Sequence, residues 1–293
     1  MTEINPTQLK DIIVIYHGNC YDGFGAAYAA WKKFGDEASY FPSGKRDEAP
    51  EGLTNKEVYI LDYSYPFEVL KQLTEDNKSV VVIDHHISAK ETVESFPQNI
   101  FNNDHSGAVL AWQYFHPDEP VPEILLYIED HDLWRMSLPD HLEFNAALHL
   151  SPLRFTDWDN VSQELTDPER REAFIRTGKI ITYFEDTLIN QMLAFREKVL
   201  FAGKELYAIN TDRLYRSIIG NKLAELNQHE GLEAIGIVYY RLNGAIHVSL
   251  RSIGDTDVAA IAQKYGGGGH KNAAAFRVAS FADLPFEFLN STI

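Results

Sequence analysis

Short apolar runs alternate with helical stretches through the first half of the chain. Runs rich in β-branched residues predict buried strands at 11–16, 58–61 and 79–83. Helical patterns occupy residues 23–34, 67–73, 107–115 and 122–129. This alternation predicts an α/β fold, a parallel sheet with helices on both faces. Such sheets bind ligands beyond the carboxyl ends of their strands.

The second half begins with a helical pattern over residues 167–197, which suggests a connector between two lobes. Strand patterns follow at 205–210, 234–241 and 245–251, with a helix at 257–265. We therefore predict three regions: an N-terminal domain at 1–150, a helical connector at 151–199 and a smaller C-terminal α/β domain at 200–293.

Composition limits the kinds of molecule that this protein is expected to bind. The 293 residues are 45% hydrophobic and carry a formal net charge of -17, which disfavours tight binding to long nucleic acid. A small anionic substrate remains possible, because a bound divalent metal inverts the local field. Cys20 is the only cysteine, so no intramolecular disulfide forms. The segment Met1–Lys10 is polar, and no apolar run approaches the ~20 residues that span a bilayer. We expect a cytoplasmic protein without membrane contacts.

Each predicted strand of the first half runs into side chains of the kinds that bind metals. The segments that follow them are 17–23, Asp62 and 84–86, and a later helix runs into 129–132. Such oxygen and nitrogen donors suit Mn²⁺, Mg²⁺, Fe²⁺ or Zn²⁺. Two ions would polarise a phosphoryl group and activate water, with Asp62 as the natural bridge.

A plainer interpretation exists for each of these residues. A single aspartate after a strand is usually a helix cap or turn residue. Four such clusters in order argue against that interpretation here. By contrast, His105, His116 and His141 are interpreted as structural, although Asp104–His105 could touch the site.

A run of four glycines, 266–269, precedes His270. One glycine would suffice for a helix C-cap, so the run predicts a backbone that closely approaches an anion or a base. The predicted substrate-binding residues are Arg251, Gly267, Gly268, Gly269 and His270. Arg251 suits a phosphate, with a surface ion pair as the alternative.

These motifs together resemble the DHH phosphoesterase family. Asp84-His85-His86 matches its name-giving motif, and the stretch 266–275 resembles the glycine-rich signature of the associated DHHA1 domain. The resemblance covers residues 12–276. It implies a DHH catalytic domain, a DHHA1 substrate-binding domain, an active site in the cleft between them and two divalent metals. Mn²⁺ is the first choice, with Mg²⁺ or Fe²⁺ as alternatives.

The resemblance also assigns roles. It implies that His86 touches the scissile phosphate and that Asp84 orients the histidines. The first implied metal set is His17 with Asp62. The second is Asp22, Asp62, His85 and Asp130. Asp130 is preferred over Asp132 because it closes an apolar stretch, but Asp132 remains an alternative.

The first motif departs from the family pattern D-x-D-G. Cys20 replaces the first aspartate in Cys20-Tyr21-Asp22-Gly23. Its thiolate, an oxygen of Asn19 or a water could fill that position, or Cys20 could simply be a small packed residue.

The resemblance favours a nanoRNase-like phosphodiesterase that hydrolyses linear dinucleotides and very short oligoribonucleotides, such as pGpG, to mononucleotides. The segments 17–20 and 129–134 look closest to that branch. Alternatives are a pAp phosphatase, a cyclic-dinucleotide phosphodiesterase, or a non-catalytic nucleotide sensor, which only Cys20 supports. Trp134 is among the aromatic residues that could stack bases or simply pack. The oligomeric state, including a homodimer, stays open.

Overall fold

The structure is a computed structural model that describes residues 9–44, 48–96 and 98–289. Most of the polar segment Met1–Lys10 therefore lies outside the described residues. Contacts between Cα atoms divide the chain into two compact units, Met1–Thr182 and Tyr183–Ile293. In the described part of the chain, no helix is both long enough and apolar enough to cross a membrane.

The first unit contains a five-stranded parallel sheet in the order β2-β1-β3-β4-β5. Its strands are β1 Ile12–His17, β2 Ala38–Ser43, β3 Glu57–Leu61, β4 Ser79–Asp84 and β5 Ile100–Phe101. Its helices are α1 Tyr21–Phe34, α2 Phe67–Asp76, α3 Lys90–Glu94, α4 Gly107–Phe115, α5 Glu123–Asp132, α6 His141–Leu148 and α7 Phe155–Glu164. Helix α8 spans Pro168–Leu193, and the division between the units falls within it.

Alternate residues of β1 enter two different cores. Val14 packs with side chains of α1, α4 and α5, whereas Ile13 and Ile15 pack with Leu70 of α2 and Val93 of α3. Both faces of the sheet are thus covered, which explains why its central strands are continuously apolar. The predicted α/β fold class with a parallel sheet is confirmed.

Several short elements were absent from the sequence prediction. Strand β2 contains Pro42, which weakens a strand signal. It fits here because β2 lies at the edge of the sheet. Helices α6 and α7 lie in or beside the predicted connector 151–199, and the domain boundaries stay a prediction.

The second unit contains a seven-stranded mixed sheet in the order β10-β11-β9-β8-β7-β6-β12. Its strands are β6 Glu197–Phe201, β7 Lys204–Asn210, β8 Ile235–Leu242, β9 Ala245–Ser252, β10 Gly268–His270, β11 Ala273–Val278 and β12 Phe286–Phe288. Helices α9 Arg216–His229 and α10 Val258–Gln263 pack through different apolar clusters, one containing Val238 and the other Ile237. Because these neighbours in β8 point to opposite faces, the two helices cover opposite faces of this sheet.

Candidate metal centre

Three adjacent strands of the first unit end at the same edge of the sheet. β1 ends at His17, Asp62 directly follows β3, and β4 ends at Asp84. The register pairs Tyr16 with Leu61 and Leu61 with Ile83, so the three strand ends are level. Asp62 has φ 62°, a left-handed conformation that few non-glycine residues adopt. Its amide donates to the Ile83 carbonyl oxygen at 2.9 Å, which anchors this turn.

Helices α1 and α4 together position Asp22. This residue lies in the first turn of α1, and its oxygens accept from the amides of Gly107 at 2.7 Å and Ala108 at 2.9 Å. These amides begin α4, where helix N–H groups lack intrahelical partners. A Cβ on Gly107 would lie 2.6 Å from the Asp62 Cβ. Glycine is therefore required for α4 to approach the strand end.

The ligand atoms of these residues converge. His17 Nδ1 lies 3.1 Å from Asp62 Oδ2, and His85 Nε2 lies 3.1 Å from Asp62 Oδ1. His85 Nε2 is also 3.5 Å from Asp22 Oδ2 and 3.6 Å from Asp132 Oδ2. The two oxygens of Asp62 thus face two different histidines, as a carboxylate that bridges two ions would.

Three groups of residues each bring their donor atoms within 4.8 Å of one another, and the groups share members. The sets are His17, Cys20 and Asp62; Asp62, His85 and His86; and Asp22, His85 and Asp132. Asp62 is only 1% exposed, and among the described residues no hydrogen bond of good geometry reaches its Oδ1, although His85 Nε2 lies 3.1 Å away. A buried carboxylate oxygen without a donor is costly unless a cation satisfies it. This donor set therefore fits a divalent metal.

Electrostatics of the protein alone support the same conclusion. Burial raises the pKa of Asp22 well above its usual value, and the charges of Asp62 and Asp132 raise it further. The hydrogen bond with Asp62, followed by that with Cys20, raises the pKa of His17 to about 10. Burial lowers the pKa of His85, but its contacts with the three aspartates outweigh burial and raise it to about 9. The direction of these shifts shows that the acidic cluster favours added positive charge, which a metal would supply.

Asp84 holds the two histidines that follow it. Its fully buried Oδ1 accepts from the amides of His85 at 2.8 Å and His86 at 3.1 Å, and lies 2.7 Å from His86 Nδ1. This geometry fixes the His86 ring and leaves its Nε2 available to another group. It is the arrangement that the predicted orienting role of Asp84 requires.

The structure corrects the preference for Asp130. Its carboxylate accepts from Ser137 N at 2.9 Å, Ser137 Oγ at 2.7 Å and Leu138 N at 3.3 Å, and it is in none of the clustered donor sets found among the described residues. Asp132 is in one of them. Residues two apart on a helix point about 200° apart, so only one can face the cluster. The apolar stretch before Asp130 could not reveal which.

A buried carboxylate beside this cluster was missed from the sequence. Glu129 accepts from His105 Nδ1 at 2.9 Å, Ser106 N at 3.0 Å and Arg135 Nη1 at 2.8 Å. Arg135 also donates to the Asp104 carbonyl oxygen. Glu129 thereby anchors the loop that precedes α4. The first amides of α4 are the ones that donate to Asp22. Its place in the acidic segment 129–132 was the available signal.

In the second unit, the Arg251 side chain is held by neighbouring oxygens. Arg251 Nη2 donates to Ser217 Oγ at 2.8 Å, and Nη1 donates to the Leu250 carbonyl oxygen at 2.9 Å. Burial lowers the pKa of Arg251, and the neighbouring charge of Arg216 lowers it further. The ion pair considered from the sequence is not among the contacts of the described residues. The charge of Arg216 thus acts on Arg251, and the sequence alone did not link the two residues.

The glycine run combines two kinds of position. Gly266 has φ 73° and follows α10, as a helix C-cap does. A Cβ on Gly267 would lie 2.1 Å from the Ala275 carbonyl oxygen, whereas a Cβ on Gly268 would meet open space. His270 is exposed. Close packing against β11 explains part of the run, and the substrate-binding role of 267–270 stays a prediction.

Residues 205–289 match the DHHA1 domain family. The second unit contains a DHHA1 domain. The described strands β7–β12 and helices α9 and α10 belong to it, and so do Arg251 and the glycine run.

Similarity to other proteins extends beyond the DHHA1 domain to nearly the whole chain. Uncharacterized protein R106 of Acanthamoeba polyphaga mimivirus is 27% identical over 300 residues, 94% of this chain and 69% of that protein. The pGpG-specific phosphodiesterase PggH of Vibrio cholerae is 16% identical with a TM-score of 0.51, over 92% of this chain and 94% of PggH. RecJ of Thermus thermophilus, in complex with Mn²⁺, is 16% identical with a TM-score of 0.48, over 94% of this chain and 50% of RecJ.

The DHHA1 match and the fold shared with PggH agree with the domain architecture that the resemblance to the DHH family implied. At 16% identity, the likeness to PggH concerns the fold. What the site does must therefore be argued from its own residues.

Proposed function

We propose that this protein is a metal-dependent phosphodiesterase that hydrolyses linear dinucleotides and very short oligoribonucleotides, such as pGpG, to mononucleotides. The observation that carries the proposal is the cluster in which Asp62 faces His17 through one oxygen and His85 through the other. A carboxylate shared between two donor sets suits a pair of cations, which is the usual arrangement for phosphoester hydrolysis.

Two cations, most suitably Mn²⁺, would be held by two sets of residues. The first set is His17, Asp62 and Cys20. The second set is Asp22, Asp62, His85 and Asp132. When bound, such ions lower the pKa of a water and stabilise charge on phosphoryl oxygens. Asp132 takes the place first considered for Asp130, because its Oδ2 lies 3.6 Å from His85 Nε2.

The protein's own groups orient the phosphate. His86 is fixed by Asp84 through Nδ1, and in its imidazolium form its Nε2 would donate to a non-bridging oxygen of the scissile phosphate. A cavity of about 220 Å³, lined by Asp84, His86, Ser64 and Ser88 among others, adjoins this histidine. Polar side chains in that cavity suit a charged substrate rather than an apolar one.

The DHHA1 domain would recognise the nucleotide. Arg251 would hold a phosphate of the substrate, and 267–270 would pack against the nucleotide. A short substrate is favoured because the chain has a net charge of -17, which opposes binding to long nucleic acid. PggH, a phosphodiesterase specific for pGpG, has the same fold.

The test is product analysis with 5′-labelled pGpG, pApA, longer oligoribonucleotides, pAp and cyclic dinucleotides, each with Mn²⁺ or Mg²⁺. We expect linear dinucleotides to give mononucleotides, with turnover falling as length increases. Turnover of cyclic dinucleotides alone, or of pAp alone, would contradict the proposal and support the corresponding alternative enzyme.

A matched pair of variants links turnover to the cluster. Asp62→Asn removes the shared charge at constant size, whereas Asp118→Asn makes the same change at an exposed turn residue. We expect only Asp62→Asn to abolish hydrolysis and to reduce bound Mn²⁺, measured by elemental analysis after dialysis. Nucleotide binding without any turnover in the parent protein would identify a sensor.

A further inference from the structure

The segment that follows α5, residues 133–138, has an unusual backbone. Trp134 has φ 54° and Met136 has φ 47°, and bulky residues rarely adopt the left-handed region. Two such residues within three positions cost conformational energy, which persists only where surrounding contacts impose it. We call residues 133–138 the tryptophan loop.

Asp130 supplies those contacts. Its backbone carbonyl oxygen accepts from the amides of Arg135 at 2.9 Å and Met136 at 3.2 Å. Its buried carboxylate accepts from Ser137 and from the Leu138 amide. Nearly every polar group of Asp130 thus serves to hold the tryptophan loop in its strained form. Burial raises the pKa of this carboxyl, but the bonds from Ser137 and Leu138 outweigh burial and lower it.

The strained loop displays an indole that it could have buried. Trp134 is 77% exposed, while Trp112 and Trp158 are buried. Its ring lies nearly parallel to that of His131, with centroids 6.3 Å apart and an interplanar angle of 24°. Strained backbone of this kind clusters at ligand-binding segments, and here it presents an aromatic face to solvent.

The position of the indole beside the metal cluster indicates what that ligand is. Trp134 is two residues from Asp132, so at most about 7 Å of backbone separates them. Asp132, Asp22 and His131 line a cavity of about 350 Å³. A nucleotide whose phosphate lies at the cluster would therefore carry its base within reach of Trp134.

We propose that the tryptophan loop is a base-binding element of the first unit, in which Trp134 stacks on a base adjoining the scissile phosphate and Asp130 positions it. This inference rests on the proposed hydrolysis of short nucleotides. Stacking is tolerant of base identity, because every base has a π-face. The loop therefore contributes affinity for a nucleoside without selecting guanine.

The experiment compares kcat and KM for pGpG and for two analogues in which one or the other guanine is absent. Trp134→Ala should raise KM for pGpG about 5- to 150-fold, the range expected for loss of one stacked base. Trp134→Phe should recover most of the affinity. One of the two abasic analogues should be hydrolysed equally well by the parent and by Trp134→Ala. The matched control is Tyr183→Ala, since Tyr183 is also 77% exposed.

Asp130→Asn tests the positioning role. It should raise KM in the same direction, and its effect should be less than additive with that of Trp134→Ala, because both act through one contact. A general loss of structure would instead lower kcat as well as raise KM, and its effect would add to that of Trp134→Ala.

Two results would overturn the inference. Unchanged KM in Trp134→Ala, with active parent enzyme, would exclude base stacking while leaving the proposed function intact. A change only in oligomeric state would show that the indole contacts protein. If the parent hydrolyses no dinucleotide at all, the proposed function fails first and the inference fails with it.

Discussion

Asp130 and Asp132 offer the sharpest test of the metal assignment, because the same isosteric change can be made at both. Asp132 Oδ2 lies 3.6 Å from His85 Nε2 within a clustered donor set. Asp130 instead accepts from Ser137 and Leu138. The variants Asp130→Asn and Asp132→Asn should therefore fail in different ways.

In metal-free protein, the two variants are expected to change the stability of the fold in opposite directions. In Asp130→Asn, the amide turns a donor toward buried N–H groups, and an unpaired buried donor costs about 1–3 kcal/mol. For a unit of this size that lowers the melting temperature by about 2–4 °C per kcal/mol. Asp132→Asn removes a charge that raises the pKa of Asp22, so repulsion falls and stability should stay equal or increase.

With metal present, Asp132→Asn is expected to be the more damaging of the two variants. Loss of Asp132 as a ligand should weaken Mn²⁺ affinity by more than the 10- to 100-fold that follows loss of an outer contact, whereas Asp130→Asn should keep its metal content. Calorimetric titration with Mn²⁺ and thermal melts in chelator measure the two effects separately. The reasoning is refuted if Asp130→Asn loses metal and Asp132→Asn retains it.

Three further predictions concern other residues. Cys20 lies with His17 and Asp62 in one donor set, so Co²⁺-loaded protein should show a sulfur-to-metal absorption band that Cys20→Ala lacks; a parent without the band would exclude thiolate ligation. Gly107→Ala places a Cβ 2.6 Å from the Asp62 Cβ and should sharply weaken Mn²⁺ binding, while Gly44→Ala, which meets open space, should not. If Arg251 binds the 5′-phosphate through two N–H groups, as proposed, Arg251→Lys should raise KM about tenfold or more for pGpG but little for GpG, which lacks that phosphate. An equal effect on both substrates would contradict a 5′-phosphate role.

The pattern of apolar residues predicted the central strands well, because β1, β3 and β4 are buried on both faces and read as continuous runs. It missed β2, which contains a proline and lies at the sheet edge. It also missed α6 and α7 beside the connector. Elements whose stability comes from packing partners leave weaker patterns than elements that supply the core.

The order of residues along the chain already indicates that acidic residues and histidines follow successive parallel strands, and such residues must meet at one edge of the sheet. That alone predicted His17, Asp22, Asp62 and His85 as neighbours. The choice between Asp130 and Asp132 required the packed position of their helix, since the helix can be rotated to present either one. The same holds for Glu129, whose partners His105 and Ser106 are distant in sequence. It also holds for the tryptophan loop, whose left-handed residues no sequence pattern predicted. Periodicity fixes which side chains share a face, but packing fixes what that face meets.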